Sequence, residues 1–346
     1  MVDVAEDLAF RARKILRRQK EAGTVIDREA IVKIVELDAP IFGLSTGQTI
    51  TPEQIEAATR LLLTIFVTEQ GPALILRNTE GVRPAQWYVG DRRKPGPFMQ
   101  RYLEKLQEDG WPQQSVDELE ESTARILESM EDPERAGSWD WRGLVVGDVQ
   151  SGKTASYAGV VNRAVDAGYR IIIILAGMHN ILRLQTQKRF DSDVLGFDTN
   201  PKYLGQPMPV IGVGEFNALL SVDFVTNASL KGDFRQRDAE KANFSPVSQP
   251  CVLVVKKNAK VLENLNNWIA RRSVPSRNAP ALIIDDEADQ ASVDTKDQPL
   301  LEDGTFDEDY EPKRVNGEIR KLLMKFDRRV YVGYTATPFA NIFIHD

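Results

Sequence analysis

Five short apolar runs, each nearly continuous in Ile, Leu and Val, constrain the fold of this chain more than any other feature. They are Gly143 to Val146, Arg170 to Leu175, Val252 to Val255, Ala281 to Asp285 and Val330 to Tyr334. A strand with one wet face alternates apolar and polar residues. Runs without that alternation belong to strands covered on both faces, as in a parallel sheet flanked by helices. From Trp139 onward the expectation is therefore an α/β domain built on a parallel sheet.

The first third of the chain reads differently. Val4 to Lys20 is charged and amphipathic, with Leu8, Ala12, Ile15 and Leu16 at helical spacing. Thr51-Pro52-Glu53-Gln54 is a helix start, with a Thr cap, Pro at the first position and Gln three residues after the cap. Its body runs from Ile55 to Phe66, and Phe98 to Gln107 and Val116 to Met130 read as two further helices. Helix breakers between Asp132 and Gly137 mark a boundary, so the sequence predicts a helical N-terminal domain over 1–136 and the α/β domain over 137–346. Between Asp191 and Pro250 only Phe216 to Leu220 reads as a short helix, and Asp294 to Glu311 reads as an acidic loop.

Composition excludes some classes of function. A net charge of −7 argues against a generic basic nucleic-acid binder, though not against a local basic track. One cysteine, Cys251, gives no internal disulfide framework and fits a reducing, cytoplasmic setting. Two histidines, His179 and His345, argue against a zinc site built by the protein. No apolar run approaches the ~20 residues of a membrane span, and the N-terminus has no basic-then-apolar signal pattern.

The first apolar run leads into Gly147-Asp148-Val149-Gln150-Ser151-Gly152-Lys153-Thr154, a full G-x-x-x-x-G-K-[ST] string. A helix over Ala155 to Ala167 follows, and Gly168 can end it. Small residues let backbone N–H groups turn inward around phosphate oxygens, and the helix N-terminus adds its positive dipole end. Lys153 would reach the β- and γ-phosphates of ATP, and the Thr154 hydroxyl would take one Mg²⁺ position. Hydrolysis also needs a metal-side acid and a group that positions water. Both are present in Leu282-Ile283-Ile284-Asp285-Asp286-Glu287-Ala288-Asp289, where acids follow a buried strand. Asp286 is the metal-side candidate, acting through water; Glu287 is the base that orients water; Asp289 would couple the site to a neighbouring motif. An acidic helix start is the plainer reading of these acids, and the upstream phosphate loop argues against it.

Asp286-Glu287-Ala288-Asp289 resembles motif II of superfamily-two helicases of the DEAD type, and Tyr334-Thr335-Ala336-Thr337-Pro338 resembles their motif III. Three longer strings, Gly143 to Thr154, Leu175 to Asn180 and Val332 to Asn341, resemble the Z-one domain family. That family of bacterial and phage proteins is labelled an endonuclease family and is associated with restriction and DNA-modification defence. The resemblance covers roughly 139–346, with the helical region placed in the same family. It implies a RecA-like P-loop lobe with ATP and Mg²⁺ as cofactors, and Thr335, Ala336 and Thr337 transmitting the nucleotide state. It also implies DNA and other subunits of a defence system as partners. Helicase motors place ATP between two lobes, the second of which supplies an arginine finger. The chain ends at His345-Asp346 after the third motif, so the opposing lobe is expected from outside these residues. Because a finger is worth about 10³–10⁵ in rate, ATP binding with slow hydrolysis is the expectation.

Nucleic-acid contact falls, on this reading, to the turns after the second and third apolar runs. His179, Asn180, Arg183 and Gln187 follow one, and Lys256 and Lys257 follow the other. These residue types, apart from any role of His179 as a helix-start residue, donate hydrogen bonds to phosphate oxygens. Trp139 and Trp141 fit core anchors better than adenine platforms. No nuclease chemistry is legible, because Glu311-Pro312-Lys313 lies at the acidic loop with no apolar flank. The leading expectation is a helicase- or translocase-type ATPase lobe acting on DNA. An endonuclease subunit, or a nucleotide-gated assembly module without translocation, are the alternatives.

Overall fold

In the computed structural model, the described residues are 28–47, 50–66, 74–76, 86–146, 153–203, 206–242, 244–246, 248–272, 278–288 and 311–335, with positions 8, 11, 12, 15, 16, 18 and 19. Within these the chain forms two compact units, Met1–Pro72 and Ala73–Asp346.

The first unit is helical. α1 (Arg28–Thr46) and α2 (Pro52–Phe66) bury Ile31, Val35, Ala39, Ala58 and Leu62 together with Leu8, Ala12 and Leu16. The last three share one face of the helical pattern read near the N-terminus. The start of α2 is a reciprocal cap: Gln54 N donates to Thr51 Oγ1 at 3.3 Å, and Thr51 N donates to Gln54 Oε1 at 2.9 Å. Helix α1 carries Pro40 in its interior, a residue that ordinarily breaks a helix, so its local pattern does not announce it.

The second unit is α/β. Its strands are β1 (Leu74–Leu76), β2 (Trp139–Val146), β3 (Ile171–Ala176), β4 (Asp223–Phe224), β5 (Cys251–Lys256), β6 (Ala281–Asp286) and β7 (Arg328–Thr335). They lie in the order β1-β2-β7-β6-β3-β5-β4. The six from β2 to β4 are mutually parallel, and β1 pairs antiparallel with β2 at the edge. All five strands expected from the apolar runs are present. The pleat sorts their side chains by parity: Ile172, Ile174, Val252, Val254, Leu282 and Ile284 enter one core, and Ile171, Ile173, Leu253, Val255 and Ile283 enter the other.

Helices cover both faces. α3 (Pro97–Glu108), α4 (Gln113–Glu128), α5 (Lys153–Ala167) and α6 (Asn180–Phe190) contribute to the first core. α7 (Ala259–Ala270) and α8 (Glu311–Leu323) contribute to the second. Gly168 ends α5 at φ +114°, and its N–H returns to the carbonyls of Ala164 and Val165 at 3.1 Å. Arg163 of α5 is buried, donating to Thr123 Oγ1, Tyr88 Oη and the Glu120 carbonyl at 3.0 Å each. The sequence-based boundary at 136/137 and the division at 72/73 thus fall at different points, with α3 and α4 packed on α5.

Two local expectations are corrected. Glu311 to Lys313 begins α8 rather than continuing a loop, and Pro312 sits in the first turn, where its missing N–H costs nothing. The single-turn helix expected over Phe216 to Leu220 lies earlier, at Val213–Phe216. Trp139 is buried edge-on to Tyr169, at ring centroids 6.2 Å apart. It begins β2, about 23 Å from the C-terminal end of that strand by strand rise, and belongs to the first core, so the core reading of Trp139 holds. No helix among the described residues is long and apolar enough to cross a membrane.

Candidate functional site

A parallel sheet brings the C-terminal ends of its strands to one edge. Here that edge carries the start of α5 after β2, Asp286 and Glu287 at the end of β6, Thr335 at the end of β7 and Gly177 after β3. Because β7 lies between β2 and β6, the ends of the latter are about 10 Å apart, two strand spacings. A cleft of about 410 Å³ opens there, lined by Thr154 and Tyr157 of α5, Gly177, α6 residues including Gln185, Thr186 and Arg189, and Asp286 and Glu287. Two candidates drawn from segments more than a hundred residues apart, Thr154 and the Asp286-Glu287 pair, therefore face one space.

Tyr157 joins them. It is 1% exposed, and its hydroxyl donates to Asp286 Oδ2 at 3.3 Å, beside the hydroxyls of Thr154 and Thr186. Burial first, and then the Asp286 carboxylate, push the Tyr157 hydroxyl well above its ordinary pKa, so it stays a neutral donor. Its ring packs on Phe190 and edge-on to Tyr334, with centroids 5.8 and 5.5 Å away. The signal for Tyr157 was present in the sequence: it lies three residues after Thr154 on a helix and so shares its face.

Glu287 has φ +57°, the only non-glycine in the left-handed region among the described residues. A Cβ placed on Gly177 would lie 3.4 Å from Glu287 Oε2, so the carboxylate rests over that glycine. The next residue closes the turn, with Ala288 N donating to Tyr334 O at 2.9 Å. Gly333 makes room for this closure: a Cβ there would lie 2.9 Å from Ala288 Cβ and 3.0 Å from Leu144 Cδ1. Asp285 points to the opposite face of β6. Its Oδ1 accepts from Lys257 Nζ at 3.0 Å and its Oδ2 from Tyr331 Oη at 2.6 Å, and the Lys257 and Asp285 side chains are fully buried.

The residues proposed for nucleic-acid contact divide. His179 and Asn180 are exposed at the start of α6, and Lys256 Nζ donates to Asn180 Oδ1 at 2.9 Å, so the two turns do share the strand-end surface. Arg183, Gln187 and Lys257 are corrections. Arg183 is buried and donates to the carbonyls of Asn227, Ser229 and Gly232. Gln187 is buried between Asp191 and Thr226. Lys257 is spent on Asp285 and on the carbonyls of Asp286 and Glu287. Helix α6 buries Arg183 and Gln187 and leaves Ile181 63% exposed. The carbonyls of Asn227, Ser229 and Gly232 also accept backbone N–H groups within their own turn, and the Arg183 guanidinium ties that turn to α6.

Thr335 is fully buried at the end of β7, beside Val146 in register. Gly147, Asp148, Val149, Gln150, Ser151 and Gly152 lie outside the described residues, as do Asp289, Ala336 and Thr337. Lys153 begins α5, and only its helical backbone is described. Among the groups that line the cleft, the Thr154 hydroxyl and the Asp286 and Glu287 carboxylates offer oxygen donors, which suit a hard cation such as Mg²⁺. Compared with known proteins, the chain matches no family model and no curated protein sequence.

Proposed function

We propose that this chain is a RecA-like P-loop lobe that binds and hydrolyses ATP, of the helicase or translocase type, acting on DNA in a restriction or antiphage defence system. One observation carries the nucleotide part: Thr154, in the first turn of the helix after the phosphate loop, and Asp286 and Glu287, at the end of a strand two positions away, line the same cleft. The residue strings that resemble the Z-one family and helicase motifs II and III support the wider reading. In this scheme Lys153 and the loop amides bind phosphate, and Thr154 and Asp286 hold Mg²⁺, whose charge would offset that of the phosphates. Glu287 orients and deprotonates water. Tyr157 donates to Asp286 and fixes the orientation of its carboxylate. Thr335 links the nucleotide state to the edge surface that carries Asn180 and Lys256.

The test is nucleotide binding and turnover on wild type, Lys153→Ala and Glu287→Gln, with and without double-stranded DNA, single-stranded DNA and RNA. Loss of ATP binding in the lysine variant, and binding with only a slow residual turnover in the glutamine variant, are expected. Unchanged ATP affinity in Lys153→Ala refutes the site; turnover indifferent to every nucleic acid refutes the motor reading.

A further inference from the structure

Lys257 is the first residue after β5, and its side chain crosses the end of β3 to reach β6. Its ammonium donates to Asp285 Oδ1 at 3.0 Å, to the Asp286 carbonyl at 2.8 Å and to the Glu287 carbonyl at 2.6 Å. An ammonium has three N–H donors, enough to serve all three of these acceptors at once. A buried ion pair is a poor stability device in itself, since apolar residues of equal volume often serve as well. What distinguishes this one is where its other two bonds go. They hold the backbone of the two acids that line the cleft, and the second of these acids is at φ +57°. A non-glycine residue persists in that conformation only where its surroundings over-determine it. Here the Glu287 carbonyl is held by Lys257 and the following N–H by Tyr334.

We infer that Lys257 is a positioning residue for Glu287: it clamps the left-handed turn and thereby aims the Glu287 carboxylate over Gly177 into the cleft. The inference rests on the proposed ATP site and deepens it. Lys257 touches no substrate in this scheme and acts only through the turn.

The test replaces the charge pair together, Lys257→Met with Asp285→Asn, so that no buried charge is left unpaired and Tyr331 keeps an acceptor. Mg·ATP affinity, single-turnover hydrolysis and a crystal structure are obtained for wild type and for this variant. The expected result is unchanged affinity with hydrolysis slowed about 100-fold, the scale of a misplaced catalytic group. In a Glu287→Gln background the same pair of substitutions should cost almost nothing more, because the group being aimed is already gone. Wild-type turnover in the double variant overturns the inference, as does an equal loss in the Glu287→Gln background, which marks general damage. If wild type itself fails to bind Mg·ATP, the nucleotide reading falls, and the crystal structure then decides the clamp. A Glu287 φ that leaves the left-handed region supports it, and one that stays there overturns it.

Discussion

Replacing Glu287 with glycine should make the protein more stable than replacing it with alanine, the reverse of the usual order. Both substitutions delete the carboxylate, and both keep the backbone bonds from Lys257 and to Tyr334. They differ in what φ +57° costs. An L-residue in the left-handed region is disfavoured by roughly 1–2 kcal/mol, a cost glycine escapes. Glycine's greater freedom in the unfolded chain takes back roughly 0.5–1 kcal/mol. Glu287→Gly should therefore exceed Glu287→Ala by about 0.5–1 kcal/mol, or about 1–4 °C in Tm for a unit of this size. Urea and thermal denaturation of the two variants in parallel give the difference, and both should be inactive in hydrolysis. An alanine variant as stable as the glycine variant, or more so, refutes a strained turn at this site. It would also remove the reason for a clamp. A glycine advantage would show that the chain retains a stability cost at Glu287, as is expected where a side chain serves function rather than folding.

Three other predictions follow from the same geometry. Asp191 is buried with its pKa raised to about 6 from 3.8, chiefly by desolvation and despite donors from Gln187 and Thr199. A carboxyl raised on folding stabilises below the unfolded value and loses that contribution as pH rises through the folded one. Asp191→Asn should thus gain on wild type by about 3 kcal/mol between roughly pH 4 and 7, and parallel stability–pH curves would refute the assignment. Gly333→Ala should destabilise by about 1–3 kcal/mol through its contact with Ala288 and Leu144, read from urea midpoints; a neutral result shows that the turn yields. Arg183→Met should destabilise by about 1–3 kcal/mol by removing the charge-assisted hydrogen bonds that tie the 227–232 turn to α6 and leave DNA affinity unchanged, whereas Lys256→Ala should weaken DNA binding and lower its salt slope by about 1. Equal losses of DNA affinity in the two variants would contradict this division.

The sequence by itself determined five of the seven strands, the start of α2, the end of α5 and the candidate acids, because each is a local property of neighbouring residues. Apolar runs without alternation mark doubly covered strands whatever their order, and a Thr-to-Gln cap closes within one turn. Tertiary structure alone decided which strand ends meet. Thr154 and Asp286 share a cleft because β7, the last strand among the described residues, inserts between β2 and β6, an arrangement no local pattern encodes. It also decided which polar residues face solvent. Lys256 and Lys257 are adjacent and alike in sequence, yet one reaches Asn180 at the surface and the other a buried aspartate and two carbonyls on β6. A buried charge needs a partner, and the partner of Lys257 stands 28 residues away, brought close only by the sheet.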